Sequence, residues 1–290
     1  MRAVVLAAEG LAELAELPEP SGPGELVHVR ACGLCGSDVE KLGHAPAGVV
    51  LGHELEGVLD DGARVTVLHR VPCGECERCR AGHESTCVSF ADVQIEPGGF
   101  AERLRASRVL PLPKAIAAGD GIWVEPLACV LRALDVVPRG RVLVVGCGAV
   151  GLLWVQALRR RGDEVAVADL RPDRVAAAVA LGGMRNGAVD AAVVTAPAGL
   201  GEALARVEPG GTVLVFAAPP GTVPLELDLV YRKELRVVGS RSATPATFAA
   251  AIETLSELTL PEVTTLPLER FAEGLDLYRS GAALKVVFNP

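Results

Sequence analysis

Two hydrophobic rhythms divide the chain. Up to about residue 115 the apolar positions come in short β-like runs, such as 26–31 and 64–68, broken repeatedly by Gly and Pro. Runs this short predict an irregular, mostly β region punctuated by loops. From Arg141 the texture changes. Residues 142–145 read as a strand, 149–161 as a helix, 164–168 as a second strand, and 172–181 as a second helix with Pro172 in its first turn. Residues 191–195, 212–217 and 235–238 are further continuous apolar strands, and one helix over 245–258 precedes mixed short elements. Strands that are apolar throughout and alternate with helices predict a parallel sheet covered on both faces, an α/β fold. Only nine residues, 182–190, separate the second helix from the next strand. A further strand and crossover helix need about a dozen or more. The sheet is therefore expected to hold about five parallel strands, with the strand that ends before Asp169 at an edge.

The length of 290 residues suits about two domains. Half the residues are apolar, enough for buried cores, and 32 glycines with 20 prolines imply many tight turns. A net charge of −8, with both signs mixed along the chain, argues against nucleic acid or an anionic membrane as partner. The stretch 142–158 is uncharged, but it is shorter than the roughly twenty residues of a membrane span and three glycines interrupt it. The apolar run before Glu9 is too short for a signal peptide. A soluble protein in a reducing cytoplasm is the expectation.

Chemistry enters with Cys73-x-x-Cys76-x-x-Cys79-x₇-Cys87. Two-residue gaps let the backbone turn and aim successive sulfurs at one tetrahedral zinc. Disulfides are the alternative, yet they suit small secreted domains, and cysteines three apart pair poorly. A site with four thiolates has no open position, so it is structural and the chemistry must lie elsewhere. Gly146-Cys-Gly148-Ala-Val150-Gly151 follows a strand and opens a helix, the setting in which backbone amides receive a pyrophosphate. A purely structural glycine turn is the alternative. Asp169, at the end of the next strand, is placed to accept the adenosine ribose hydroxyls and to repel a 2′-phosphate, favouring NAD over NADP. Arg171 works against that preference, because an arginine here can pair with the phosphate.

Upstream stand Cys32-Gly-Leu-Cys35-Gly-Ser37-Asp38 and Gly52-His53-Glu54, and downstream Val124-Glu125-Pro126. Taken alone, Cys32 and Cys35 are also a candidate redox pair, and a single His is more often structural than a ligand. Together with Gly99-Phe-Ala-Glu102 and Lys285-Val-Val-Phe288, in this order, the chain resembles the zinc-dependent medium-chain dehydrogenase/reductases, the alcohol, polyol and threonine dehydrogenases. The resemblance runs nearly end to end. It implies a GroES-like zinc catalytic domain over 1–127 and 241–290 and a shortened Rossmann domain over 128–240. It also implies that Cys35 and His53 hold a catalytic zinc, with Glu54 and Glu125 sharing the remaining positions with water or substrate. Asp38 matches a carboxylate that orients the ligand imidazole, and Ser37 a relay hydroxyl, while Glu40 stands where many relatives end the relay with His. Lys285 falls in the set expected near the cofactor, with Gly146, Gly148, Val150, Gly151, Asp169 and Arg171. Up to two zinc ions, NAD, a small alcohol or ketone substrate and a dimer or tetramer follow from the resemblance. The implied reaction is hydride transfer between a secondary alcohol (a polyol, sugar or amino-alcohol) and NAD. A simple alcohol or aldehyde dehydrogenase and a catalytically silent NAD(H) binder are the alternatives.

Overall fold

The change of rhythm at residue 141 marks a change of architecture. The structure, a computed structural model, describes all residues except 8–10, 91–93, 186 and 218–220. It divides into two compact units, one of Met1–Ala128 with Ala243–Glu257 and Pro261–Pro290, the other of Cys129–Ser242 with Leu258–Leu260.

The first unit is mostly β, as its broken apolar runs predict. Its eight-stranded sheet centres on Glu25–Gly33, which pairs antiparallel with Glu54–Val58, Arg103–Ala106 and Val286–Asn289. Glu54–Val58 continues into Arg64–Val67 through a tight hairpin that sets Gly57 opposite Val65 and Val58 opposite Arg64. The core beneath is aliphatic apart from Phe100, Phe271 and Phe288, whose ring centroids lie 4.8–5.5 Å apart.

The second unit contains the five-stranded parallel sheet. Its order is Glu164–Ala168, Arg141–Val145, Val189–Val194, Val207–Val215, Arg236–Gly239. Glu164–Ala168 is the edge strand, as the short 182–190 connection requires. Where a sixth strand would lie there is one residue of pairing: the Met184 amide donates to the Val165 carbonyl and the Val167 amide to the Met184 carbonyl, each at 2.8 Å. The helices Ala149–Arg161 and Pro172–Ala180 match expectation within a residue. Val207–Val215 starts five residues before its apolar run, because Glu208, Pro209 and Gly210 extend the strand past a register shift opposite Val189 and Ala191. Among the described residues no helix is long and apolar enough to cross a membrane.

Candidate active site and metal centres

Cys73, Cys76, Cys79 and Cys87 converge in a lobe whose regular structure is two short turns, Glu77–Arg80 and Glu84–Thr86. None of the eight cysteines is in a disulfide. Sulfur–sulfur distances are 3.5 Å for Cys73–Cys87 and 4.0 Å for Cys73–Cys79 and for Cys76–Cys87. Zinc–sulfur bonds of about 2.3 Å to tetrahedral corners would set the sulfurs ~3.8 Å apart, so the donor set fits that ion. Four thiols this close cannot all ionise on their own. Backbone amides of Val88 and Cys79 pull the Cys76 thiol down to about 6, while desolvation and the neighbouring sulfurs push Cys79 up to about 12. A dication among them removes that conflict.

The second cluster is built around His53. Gly52, at φ +94°, turns the chain into Glu54–Val58, and a Cβ there would meet the Cys32 sulfur and the Phe100 amide, each at 2.8 Å. Only glycine fits, and the turn presents His53 to the end of the central strand, where Cys35 caps the short helix Gly36–Lys41. The Asp38 carboxylate accepts from His53 Nδ1 at 3.2 Å and from the Cys35 and Gly52 amides. Burial alone would raise its pKa, but the facing imidazole and these bonds hold it below the usual carboxylate range. Burial also works against the His53 imidazolium, yet Asp38 and Cys35 hold His53 well above its ordinary value. The Ser37 hydroxyl donates to the Cys35 sulfur at 3.3 Å. Glu40 is exposed on the same helix and, among the described residues, makes no hydrogen bond to Ser37.

Two overlapping sets of ligand atoms meet at His53. Cys35, His53 and Glu54 lie within 4.8 Å of one another, and so do His53, His69 and Glu125. A thiolate, imidazoles and carboxylates at such separations are a donor set for zinc. His69 is the residue that sequence reasoning misses. The hairpin register of Gly57 with Val65, carried four residues outward on both sides, sets His53 opposite His69. Their ring centroids stand 4.7 Å apart. Burial, with His53 beside it, drives the His69 pKa well below the usual histidine value.

One oxygen of Glu54 has a second partner. Its carboxylate pairs with the Lys285 ammonium, which also donates to the Leu34 carbonyl, and the two side chains are 2% and 4% exposed. Burial disfavours the ammonium, but Glu54 outweighs it and raises Lys285. Lys285 thus gives its charge to Glu54 and Leu34, within the first unit. Replacing Lys285 by Met strands a buried carboxylate and is expected to cost about 3–5 kcal/mol in urea unfolding. The double replacement Lys285→Met with Glu54→Gln should recover most of that loss.

In the second unit Gly146 takes φ +97°, and a Cβ on Gly151 would lie 1.9 Å from the Gly146 carbonyl oxygen, so the turn requires both glycines. Gly148 caps Ala149–Arg161, and Val150 lies in its first turn. Asp169 accepts the Cys147 amide at 2.7 Å and the Arg171 amide at 2.8 Å. The Arg171 guanidinium is turned onto Asp173 at 2.9 Å. Thr195, also missed in sequence, clamps the turn by donating to the Gly146 carbonyl at 2.7 Å.

The alcohol dehydrogenase GroES-like domain family matches residues 22–114. D-altritol 5-dehydrogenase of Agrobacterium fabrum is 34% identical over 289 aligned positions, covering 83% of this chain and 84% of that protein. The crystal structure of galactitol-1-phosphate dehydrogenase from Escherichia coli superposes with a TM-score of 0.86 at 26% identity, covering all of both chains. A zinc-binding dehydrogenase of Sinorhizobium meliloti, crystallised with NADP, gives a TM-score of 0.84 at 25% identity over 100% and 99% of the two chains. The glycine turn, the Cys35–His53 cluster and the four-cysteine lobe stand in the fold these proteins share, and the chain belongs to the zinc-dependent medium-chain dehydrogenase/reductase family.

Proposed function

We propose that the protein interconverts a secondary alcohol of a polyol or sugar and the corresponding ketone, with zinc and NAD. One observation carries this reading: Cys35 and His53, braced by Asp38, converge with carboxylates in a chain similar to an altritol dehydrogenase and a galactitol-phosphate dehydrogenase. Those relatives favour polyols over simple alcohols or a silent binder.

Cys35, His53 and Glu125, which meet at His53 in two overlapping sets of ligand atoms, would hold the catalytic zinc, and Cys73, Cys76, Cys79 and Cys87 would hold a second ion. Zinc, when bound, supplies Lewis acidity that lowers a hydroxyl pKa from about 16 toward 7, as it does for water. Asp38 fixes His53 with Nδ1 as donor, which leaves Nε2 to face the ligand site. NAD, when bound, would accept the carbinol hydrogen as hydride, while the hydroxyl proton would leave to solvent. Ser37, already against the Cys35 sulfur, receives that proton first. Ser37→Ala should keep the zinc and slow turnover by about 10²–10⁴, the usual size of an acid–base contribution.

The glycine turn and the amides opening Ala149–Arg161 hold the pyrophosphate. Each Asp169 oxygen spends one lone pair on a backbone amide, leaving others for the ribose hydroxyls. With Arg171 turned onto Asp173, the ribose end stays negative, which favours NAD. Asp169→Ala should shift the NADP/NAD ratio of kcat/KM by about tenfold or more toward NADP, ~1.4 kcal/mol. The ratio is the readout because a loosened turn affects both cofactors alike. A wild type already preferring NADP would overturn the assignment. The function itself is tested by nicotinamide absorbance over a panel of hexitols, pentitols and simple alcohols, with polyol turnover expected.

A further inference from the structure

We propose that His69 is a ligand of the catalytic metal in the resting enzyme and is released when substrate enters. The proposal rests on the metal centre assigned above and adds a donor to it.

Three observations on this chain lead there. First, His69 Nδ1 is buried and, among the described residues, has no hydrogen-bond partner. A buried imidazole nitrogen left unsatisfied costs about 1–3 kcal/mol, and a cation within reach removes that cost. Second, a ligand atom of His69 lies within 4.8 Å of ligand atoms on both His53 and Glu125, so it belongs to the same cluster. The placement is built into the fold, because the hairpin register carries His53 and His69 to opposite positions. Third, the other nearby carboxylate is spoken for. Glu54 Oε2 is held by Lys285, and giving that oxygen to the metal would leave the buried ammonium with the Leu34 carbonyl and the Trp123 ring face but no paired carboxylate. With Glu54 held back, Cys35, His53 and Glu125 are one donor short of four, and His69 is the donor at hand.

A fully occupied tetrahedral site does no chemistry, so one ligand must leave for substrate. His69 is the one that leaves at least cost. It is neutral, whereas release of Cys35 or Glu125 would strand a charge. His53 is braced through Nδ1 by Asp38, and among the described residues His69 Nδ1 has no such brace. This resting ligand would also shield the metal from water between turnovers.

The chain has five histidines, so labelled imidazole nitrogens can be resolved by NMR. In zinc-loaded protein with labelled histidine, two imidazoles should show the nitrogen shift of a metal-bound ring. His69→Gln should remove one of them, leave the other three histidines unmoved, and weaken zinc at this site by about 10–100-fold. Addition of NADH and a ketone product should return the His69 signal to its metal-free position while His53 stays bound. One zinc-responsive imidazole, assigned to His53, overturns the proposal and leaves the metal centre standing. No zinc-responsive imidazole overturns the metal centre as well. A His69 that stays bound in the ternary complex overturns its release.

Discussion

Replacing His53 with Gln is expected to abolish alcohol oxidation, by roughly 10⁴-fold or more, since metal activation of the hydroxyl is worth several kcal/mol. Cys35→Ala should do the same. Dinucleotide affinity should change little, because the glycine turn and Asp169 belong to the other unit. If these residues were only packing, their loss would lower stability and leave zinc content alone. His53 is buried against Asp38, so a replacement without a donor would leave a buried carboxylate short of one. Gln is chosen because its amide can still donate to Asp38. Zinc content, turnover and nicotinamide fluorescence separate the outcomes: about one zinc lost, no turnover and cofactor binding retained is the expected pattern. A variant with unchanged zinc and residual activity above a tenth of wild type would remove His53 from the centre.

Loss of the zinc proposed for the cysteine lobe should have the second largest effect. The cysteine lobe has two short turns for regular structure, and Cys73, Cys76 and Cys79 are not fully buried. It has little apolar core of its own, so metal binding is its folding energy, roughly 10–16 kcal/mol of apparent affinity in zinc-finger peptides. Cys76→Ser should remove one zinc per chain, open residues 73–87 to protease and lower the melting temperature. Activity should fall less than in His53→Gln, since the Cys35–His53 cluster lies outside the lobe sequence. Unchanged zinc content and melting in Cys76→Ser would contradict the lobe assignment.

The parts most legible in sequence were those written by local chemistry. Residues 149–161 read as a helix opened by a glycine turn, and the structure has that helix to the residue, with Gly162 capping its end. The four-cysteine spacing carries its own geometry. The missing sixth strand followed from a count of residues, since too few lie between Ala180 and Val189 to cross over. The β-rich unit was legible only as a texture, because its register depends on pairings between distant segments. Lys285 shows why: its pairing with Glu54 spans 231 positions and depends on both strands meeting Glu25–Gly33. His69 was hidden for a related reason. A lone His after a strand has no motif, and only the hairpin register places it beside His53. Thr195, likewise, reaches Gly146 because its strand lies next to Arg141–Val145.

The most direct test of the assigned chemistry follows the hydrogen. Zinc-loaded protein is incubated with NAD and a hexitol carrying deuterium on its secondary carbinol carbons, and the nicotinamide is recovered for mass spectrometry. Transfer of deuterium to the nicotinamide ring, matched by ketose formation and lost when a chelator strips the metal, is the expected result. Protein that binds NAD and zinc but leaves the nicotinamide free of deuterium with every polyol and simple alcohol offered would contradict it.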